Sequence, residues 1–282
     1  MSETAAASAP ATSGNLGPGF DCLGLAIGLR CKVEARIADD WSVKYHGDNR
    51  PAPGRGSKPL VAAHFAVGER PLAMEVYNDI PFGKGLGSSA AAFVAGAAAA
   101  LRAVGEDAVP DRVYRIAMEL EGHPDQVAAA VYGGLTLIPA EGLPHRVPIH
   151  PSLRPVVAVP DTQLPTMEAR AVLHDSIPRD VVVRSLSRVT ALTTGLITGD
   201  PEMLAAAHGD EIHEEPRAKI SPEVSKLIEV AKNAGALHAA RSGAGPSVLA
   251  LTTVDAIDRV VRAFEEYGVE ALTPPVEPTG LI

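Results

Sequence analysis

The run "SSAAAFVAGAAAALRAV", Ser88 to Val104, constrains the fold more than any other stretch of the chain. Its residues favour a helix, but no face of that helix is polar over more than one or two positions. A helix apolar almost all round belongs in the middle of a domain, with other elements packed on every side. The apolar core of the run, Ala90 to Leu101, is too short to cross a bilayer, which takes about 20 residues. Directly before it stands "NDIPFGKGLG", a strand end leading into a glycine-rich loop, so Ser88 or Ser89 is expected to cap the helix.

The 282 residues are enough for two domains of ordinary size, and the boundary is expected in the proline- and histidine-rich stretch from Pro139 to Pro155, giving 1–150 and 151–282. Composition is globular, with 46% apolar and 21% charged residues. A net charge of −9 without a basic stretch argues against nucleic acid as a partner, while leaving small anions open. Cys22 and Cys31 lack CxxC or zinc-type spacing and read as free thiols packed in a reducing compartment. The start, "MSETAAASAP", has neither the basic end nor the apolar core of a signal peptide. It reads as a frayed end, and the protein as soluble, cytoplasmic and without a membrane partner.

Strand patterns cover Leu23 to Ile37, "WSVKYHG" and "LAMEVYNDIP", with a long loop expected over "GDNRPAPGRGSKP". Helices follow from Pro110, where Val113, Ile116, Ala117 and Leu120 share a face, and over "DQVAAAVY", stopped by Gly133 and Gly134 before the strand "LTLIP". In the second half the order is strand ("PVVAVP"), helices (about 180–198, 201–208 and 222–234), strands "LHAAR" and "PSVLALT", helix 254–267 and strand "VEALT". Setting the extra helices aside, this is β-α-β-β-α-β, the ferredoxin-like order.

Four segments can carry chemistry. The glycine loop fits neither the Walker pattern, because Lys84 precedes its last two glycines, nor GxGxxG, because Ser88 stands where the third glycine belongs. Gly83, Gly85 and Gly87 still allow backbone N–H groups to converge on an anion at a helix N-terminus. Spacing alone is equally compatible with a tight strand-to-helix turn. "PATSGNLGPGFDCLG", Pro10 to Gly24, reads as an irregular loop from which Asn15 and Asp21 either project or bond their own backbone. "EGHPDQ" clusters Glu121, His123 and Asp125 between two helices, as Mg²⁺-binding carboxylates or helix-end charges. "RSGAGPSVLAL" is a glycine turn opening a strand. His208 and His213 lack the HExxH arrangement and read as surface or helix-end histidines.

In this order and at these separations the four segments resemble the GHMP kinases. "PFGKGLGSSAAA" resembles that superfamily's ATP loop and "RSGAGPSV" its C-terminal glycine motif, while "PATSGNLGPGFDCLG" and "EGHPDQVAAAVYGG" are similar to the patterns of its homoserine kinases. The resemblance spans about Pro10 to Leu251. It implies an α+β chain: an N-terminal α/β domain with a left-handed βαβ unit, a C-terminal ferredoxin-like βαββαβ domain, and an active site between them. It implies ATP and Mg²⁺, with Pro81, Phe82, Gly83, Lys84, Gly85, Leu86, Gly87, Ser88, Ser89, Ala90 and Ala91 at the nucleotide and Ser89 and Glu121 on the metal. It places Asn15, Asp21, His123, Asp125, Gln126, Ser242 and Gly243 at the amino-acid substrate, Asp21 taking the ammonium. "LPTMEARAVL" resembles the family's STxEAR segment and "HEEPRAKISP" its EPYRAxLIP. They imply that Thr166 lies near the reacting groups and that Arg170 and Arg217 meet the substrate carboxylate. Asp125 is the candidate base, with Lys84 neutralising phosphate charge; a homodimer is common among relatives.

The implied activity is ATP-dependent phosphorylation of L-homoserine. The alternatives are another small-alcohol GHMP kinase, of mevalonate-pathway type, whose substrate has no ammonium for Asp21, and a non-catalytic nucleotide-binding protein on the same fold. The chain departs from the family at Gln126, where Asn is usual, in "AVYGG" and "EEPR", which lack a proline and a tyrosine, and in the absence of the "NL" signature between Gly47 and Pro59.

Overall fold

The computed structural model describes residues 4–51 and 56–282; the first three residues and part of the expected loop over 47–59 lie outside them. The chain opens with β1 (Ala5–Gly14), β2 (Leu23–Ile37), β3 (Ser42–His46), α1 (Lys58–Val67) and β4 (Leu72–Asn78), followed by α2 (Ser88–Ala103), α3 (Pro110–Glu121), α4 (Pro124–Tyr132), β5 (Leu135–Leu137) and β6 (His145–Val147). Its sheet runs β3-β4-β2-β5-β6, with β1 antiparallel to β2. β3 and β4 are parallel and joined through α1, which forms the βαβ unit of this half.

The N-terminus is not frayed over its described part. From Ala5 onward it is a strand buried along most of its length, because its small side chains let α2 lie close against it. The alanine-rich helix occupies the centre, as its apolar circumference demands, with Ala90 to Ala91 and Phe93 to Leu101 in the core. Its cap differs from the expectation. Gly87, at φ 70°, is the N-cap and Ser88 is already helical, so neither serine hydroxyl caps the helix. Lys58 and Pro59, expected in a loop, begin α1 under a cap from Ser57. α1 and α2 then meet so closely that a Cβ on Gly96 would sit 2.5 Å from the Pro59 Cα.

The second half contains β7 (Arg154–Val159), α5 (Thr166–Ala171), α6 (Arg179–Thr198), α7 (Pro201–Ala206), α8 (Glu214–Ala218), α9 (Pro222–Asn233), β8 (His238–Arg241), β9 (Val248–Thr252), α10 (Ile257–Glu266) and β10 (Glu270–Leu272). The four strands form an antiparallel sheet in the order β10-β7-β9-β8, the ferredoxin-like arrangement expected from the element order. Amphipathic α9 and α10 cover one face of it through Val224, Leu227, Val260 and Phe264. The last residues return to the first half: Val276 bridges Ile27, and Ser8 and Ile282 exchange backbone hydrogen bonds of 3.0 and 2.9 Å. Among the described residues no helix is long and apolar enough to cross a membrane. Cys31 is buried, and burial pushes its thiol up to about 12; Cys22 is half-buried and also raised, first by burial.

Candidate active site

A cleft of about 330 Å³ lies between the halves, lined by the glycine loop, Asn15, Asp21, Glu121, His123, Asp125, Gln126, Thr166, Arg170, Arg217 and the turn at Gly243 to Gly245. The connection from β4 to α2 forms one wall. Here the carbonyls bond backward into the fold: Lys84 O accepts from Ser247 N–H (3.1 Å), Gly85 O from Gln126 Nε2 (3.1 Å) and Ser242 Oγ (2.9 Å), and Leu86 O from Thr12 N–H (3.0 Å). In a trans peptide the following N–H points the opposite way, so the N–H groups of Gly85, Leu86 and Gly87 face the cleft. Gly85, at φ 78°, has no room for a side chain, because a Cβ would stand 2.3 Å from Ser242 O. α2 adds the positive end of its dipole.

Ser89 and Glu121 meet at this wall, the hydroxyl donating to Glu121 Oε2 at 2.6 Å. His123 lies between two carboxylates, 3.8 Å from Glu121 Oε1 and 3.6 Å from Asp125 Oδ1. Burial works to lower this imidazole, but Asp125 and Glu121 outweigh it and hold it above its ordinary value. Among the described residues no group of three or more His, Cys, Asp or Glu could hold a metal.

The opposite wall gathers charges from both halves. Arg170 on α5 makes a bidentate pair with Asp21, at 2.6 and 3.2 Å, and stacks 5.5 Å from the Phe20 ring. Arg217 is buried in α8. Its Nε donates to Ala169 O (3.0 Å) and its Nη1 to His213 Nδ1 (2.9 Å) and Gly243 O (3.2 Å), leaving Nη2 for a ligand. Burial, reinforced by Arg241 and Arg170, lowers this guanidinium to about 10, so it remains charged at neutral pH.

Several residues expected at the site are engaged within the fold. Asn15 lines the cleft, but its amide closes the loop: Nδ2 donates to Gly243 O (3.1 Å) and Oδ1 accepts from Asp21 N–H (3.0 Å). Gln126 ties Thr12 O and Gly85 O together. Ser242 is fully buried behind the glycine loop, and Ala90 and Ala91 lie in the core beneath it. The Lys84 ammonium donates to the carbonyls of Pro160, Asp161 and Thr162 at 2.6, 2.6 and 3.0 Å. "PATSG", expected in an irregular loop, is the end of β1; only residues 15–22 are irregular, with left-handed backbone at Asn15, Leu16 and Asp21. His213, expected at the surface or at a helix end, is the N-cap residue of α8 but is wholly buried, and burial lowers it to about 4. Phe20 and Lys58 were not singled out from the sequence; Phe20 lies inside the same motif as Asp21, whereas nothing local marks Lys58.

A second pocket, largely apolar, adjoins the cleft. It is lined by Tyr45, Val61, Val76, Phe93 and Leu120 and shares Lys58, Phe82 and Ser88 with the first.

The fold and cleft are those of a GHMP kinase: residues 58–134 match the model of the GHMP kinases N terminal domain and residues 193–270 that of the GHMP kinases C terminal domain. A homoserine kinase of Thermus thermophilus is 38% identical over 92% of this chain and 90% of its own length, and one of Streptomyces coelicolor 41% identical over 89% and 85%. A crystal structure of homoserine kinase from Cytophaga hutchinsonii superposes with a TM-score of 0.86 at 27% identity, covering 100% of this chain and 98% of that one. The chain belongs to the homoserine kinase family. A mevalonate kinase of Methanococcus jannaschii, at 13% identity and a TM-score of 0.74 over 97% of this chain and 98% of that one, shares the fold alone.

Proposed function

We propose that the protein transfers the γ-phosphoryl group of ATP to the side-chain hydroxyl of L-homoserine, giving O-phospho-L-homoserine and ADP. The observation that carries this reading is the pairing of a backbone anion cradle with an amino-acid-shaped set of charges across one cleft. The N–H groups of Gly85 to Gly87 suit the ATP phosphates. The adjoining apolar pocket suits the base. Asp21 suits an ammonium, and Arg170 with the remaining Nη2 of Arg217 suits a carboxylate, which planar guanidinium groups meet bidentately. A zwitterionic substrate would exchange the internal Asp21–Arg170 pair for two pairs of its own.

Ser89 and Glu121 fit Mg²⁺, a hard ion content with one or two protein oxygens when phosphate and water supply the rest. Bound there, the ion would neutralise charge on the transferring phosphate. Phosphoryl transfer depends on positioning and charge more than on covalent chemistry, so the chain's task is to hold donor and acceptor in line. Thr166 lines the cleft at the start of α5, beside the amino-acid charges. Asp125 is the carboxylate suited to receive the hydroxyl proton, oriented by His123. Lys84 could reach phosphate only by leaving its three carbonyls.

An ADP-release assay with Mg²⁺-ATP against homoserine, serine, threonine, mevalonate and galactose tests the proposal. Homoserine is expected to give the highest kcat/KM, and turnover of mevalonate or galactose with none of homoserine would overturn it.

A further inference from the structure

Two histidines of the second half reach into the loop that bears Asp21. His238 Nε2 donates to Leu16 O at 2.9 Å, and His213 Nε2 donates to Gly17 O at 2.8 Å. Both imidazoles are almost wholly buried, at 2% and 0% exposure. His213 is distinguished by its other nitrogen, Nδ1, which receives Arg217 Nη1 at 2.9 Å. A carbonyl can only accept and a guanidinium can only donate, so the partners themselves select the neutral Nε2–H tautomer. The ring also stacks on Phe20, centroid to centroid 5.0 Å, next to Asp21 in the chain.

We propose that His213 is a positioning residue of the amino-acid subsite, a single neutral imidazole that fixes both Arg217 and the loop carrying Asp21, the two groups assigned to opposite ends of the zwitterion. The inference rests on the homoserine reading above. Without the acceptor at Nδ1, Arg217 Nη1 loses one of its two anchors, and the guanidinium is held only through Ala169 O and Gly243 O, less tightly aligned with a carboxylate. Without the donor at Nε2, the Gly17 carbonyl is left buried and unpaired where the backbone is already left-handed at Asn15 and Leu16. Burial, the largest influence, favours the neutral ring; Arg217 and Arg241 oppose a proton on it, while Asp210, 3.6 Å from Nε2, and the Gly17 carbonyl favour one. Neither His213 nor Arg217 hydrogen-bonds the glycine loop, so the larger effect should appear in the amino-acid substrate.

The test compares His213→Ala, His213→Asn and Arg217→Met in steady-state kinetics, with each variant's fold checked by circular dichroism. Arg217→Met establishes the subsite: if it leaves the homoserine KM unchanged, the substrate reading falls and this inference with it. Given a raised KM there, His213→Ala is expected to raise the homoserine KM roughly tenfold, the scale of one hydrogen bond to a charged group, with the ATP KM within about twofold of wild type. His213→Asn, whose amide oxygen reaches the Nδ1 position, is expected to recover most of that loss. An unchanged homoserine KM in His213→Ala, or a parallel rise for both substrates without recovery in His213→Asn, would overturn the proposal while leaving the homoserine reading intact. If His213→Ala does not fold, ¹⁵N NMR of the wild-type imidazole decides: a neutral Nε2–H ring at pH 6 whose shifts move on adding homoserine supports the assignment. A protonated ring, or one indifferent to homoserine, refutes it.

Discussion

The two walls of the cleft are built on opposite plans. The wall proposed for the nucleotide is a continuous piece of chain, residues 81–89, whose polar groups toward the cleft are backbone N–H vectors set by where its carbonyls bond. The wall proposed for the amino acid is assembled from side chains far apart in sequence, Asp21, Arg170 and Arg217, held by a polar network. A backbone-built site tolerates changes of side chain but no added Cβ where φ is positive. A side-chain-built site depends on each functional group and on what orients it. Substitutions therefore separate the walls: those on the first should act on ATP, and those on the second on homoserine.

The largest expected effect tests the first half of that contrast. Gly85→Ala adds one carbon, but into left-handed backbone, which costs about 1–2 kcal/mol, and against Ser242 O at 2.3 Å. We expect a loss of kcat/KM for ATP of roughly a hundredfold or more, since the loop must shift to relieve the contact. Near-wild-type ATP kinetics in the folded variant would mean that the carbonyl-anchored loop is not the phosphate cradle.

Next in size is Asp21→Asn, which removes a charge and keeps the shape. It takes away the group assigned to the substrate ammonium and also frees Arg170. A raised homoserine KM of about 10- to 100-fold with an unaltered ATP Kd is expected, in line with hydrogen bonds to charged groups. Equal loss of both substrates would erase the contrast between the walls.

The same contrast explains what could be read in the sequence. The loop's glycine spacing and the all-apolar helix behind it were legible because both are local: φ freedom and helical period are properties of adjacent residues. The ferredoxin-like half was legible from its element order, and its sheet follows β10-β7-β9-β8. β1 was not, because small residues such as "AAASAP" carry no strand signature; they form one because α2 needs a thin neighbour. His213 was not, because its burial comes from the Phe20 loop, almost 200 residues away in the chain, and a lone histidine before a helix looks the same at the surface. Gln126 and Asn15 line the cleft, but the sequence could not reveal that their amides bond backbone there.

At the join between the walls, Ser89→Ala and Glu121→Gln should each lower kcat by about tenfold at limiting Mg²⁺, with partial recovery as Mg²⁺ is raised, because each removes one oxygen from a weakly ligated site. Turnover with unchanged Mg²⁺ dependence in both variants would remove these residues from the metal.

Lys84 offers the smallest and sharpest separation, since it is a charged side chain inside the backbone-built wall. If its charge served the phosphate, Lys84→Met would cost as much as loss of a transition-state contact, on the order of a hundredfold in kcat. Its three carbonyl partners, just beyond β7, point instead to an anchor between the glycine loop and the segment leading to Thr166. Burial lowers its pKa, with Asp161 and Glu270 opposing, but the ammonium's charge at neutral pH is what three carbonyl acceptors require. An anchor of this kind is worth about 1–2 kcal/mol, so Lys84→Met should lower Tm by a few degrees and kcat by less than about tenfold. Lys84→Arg, which keeps the donors, should restore Tm. A full-sized loss of kcat at unchanged Tm would return Lys84 to the phosphate and make the nucleotide wall, like its opposite, dependent on a side chain.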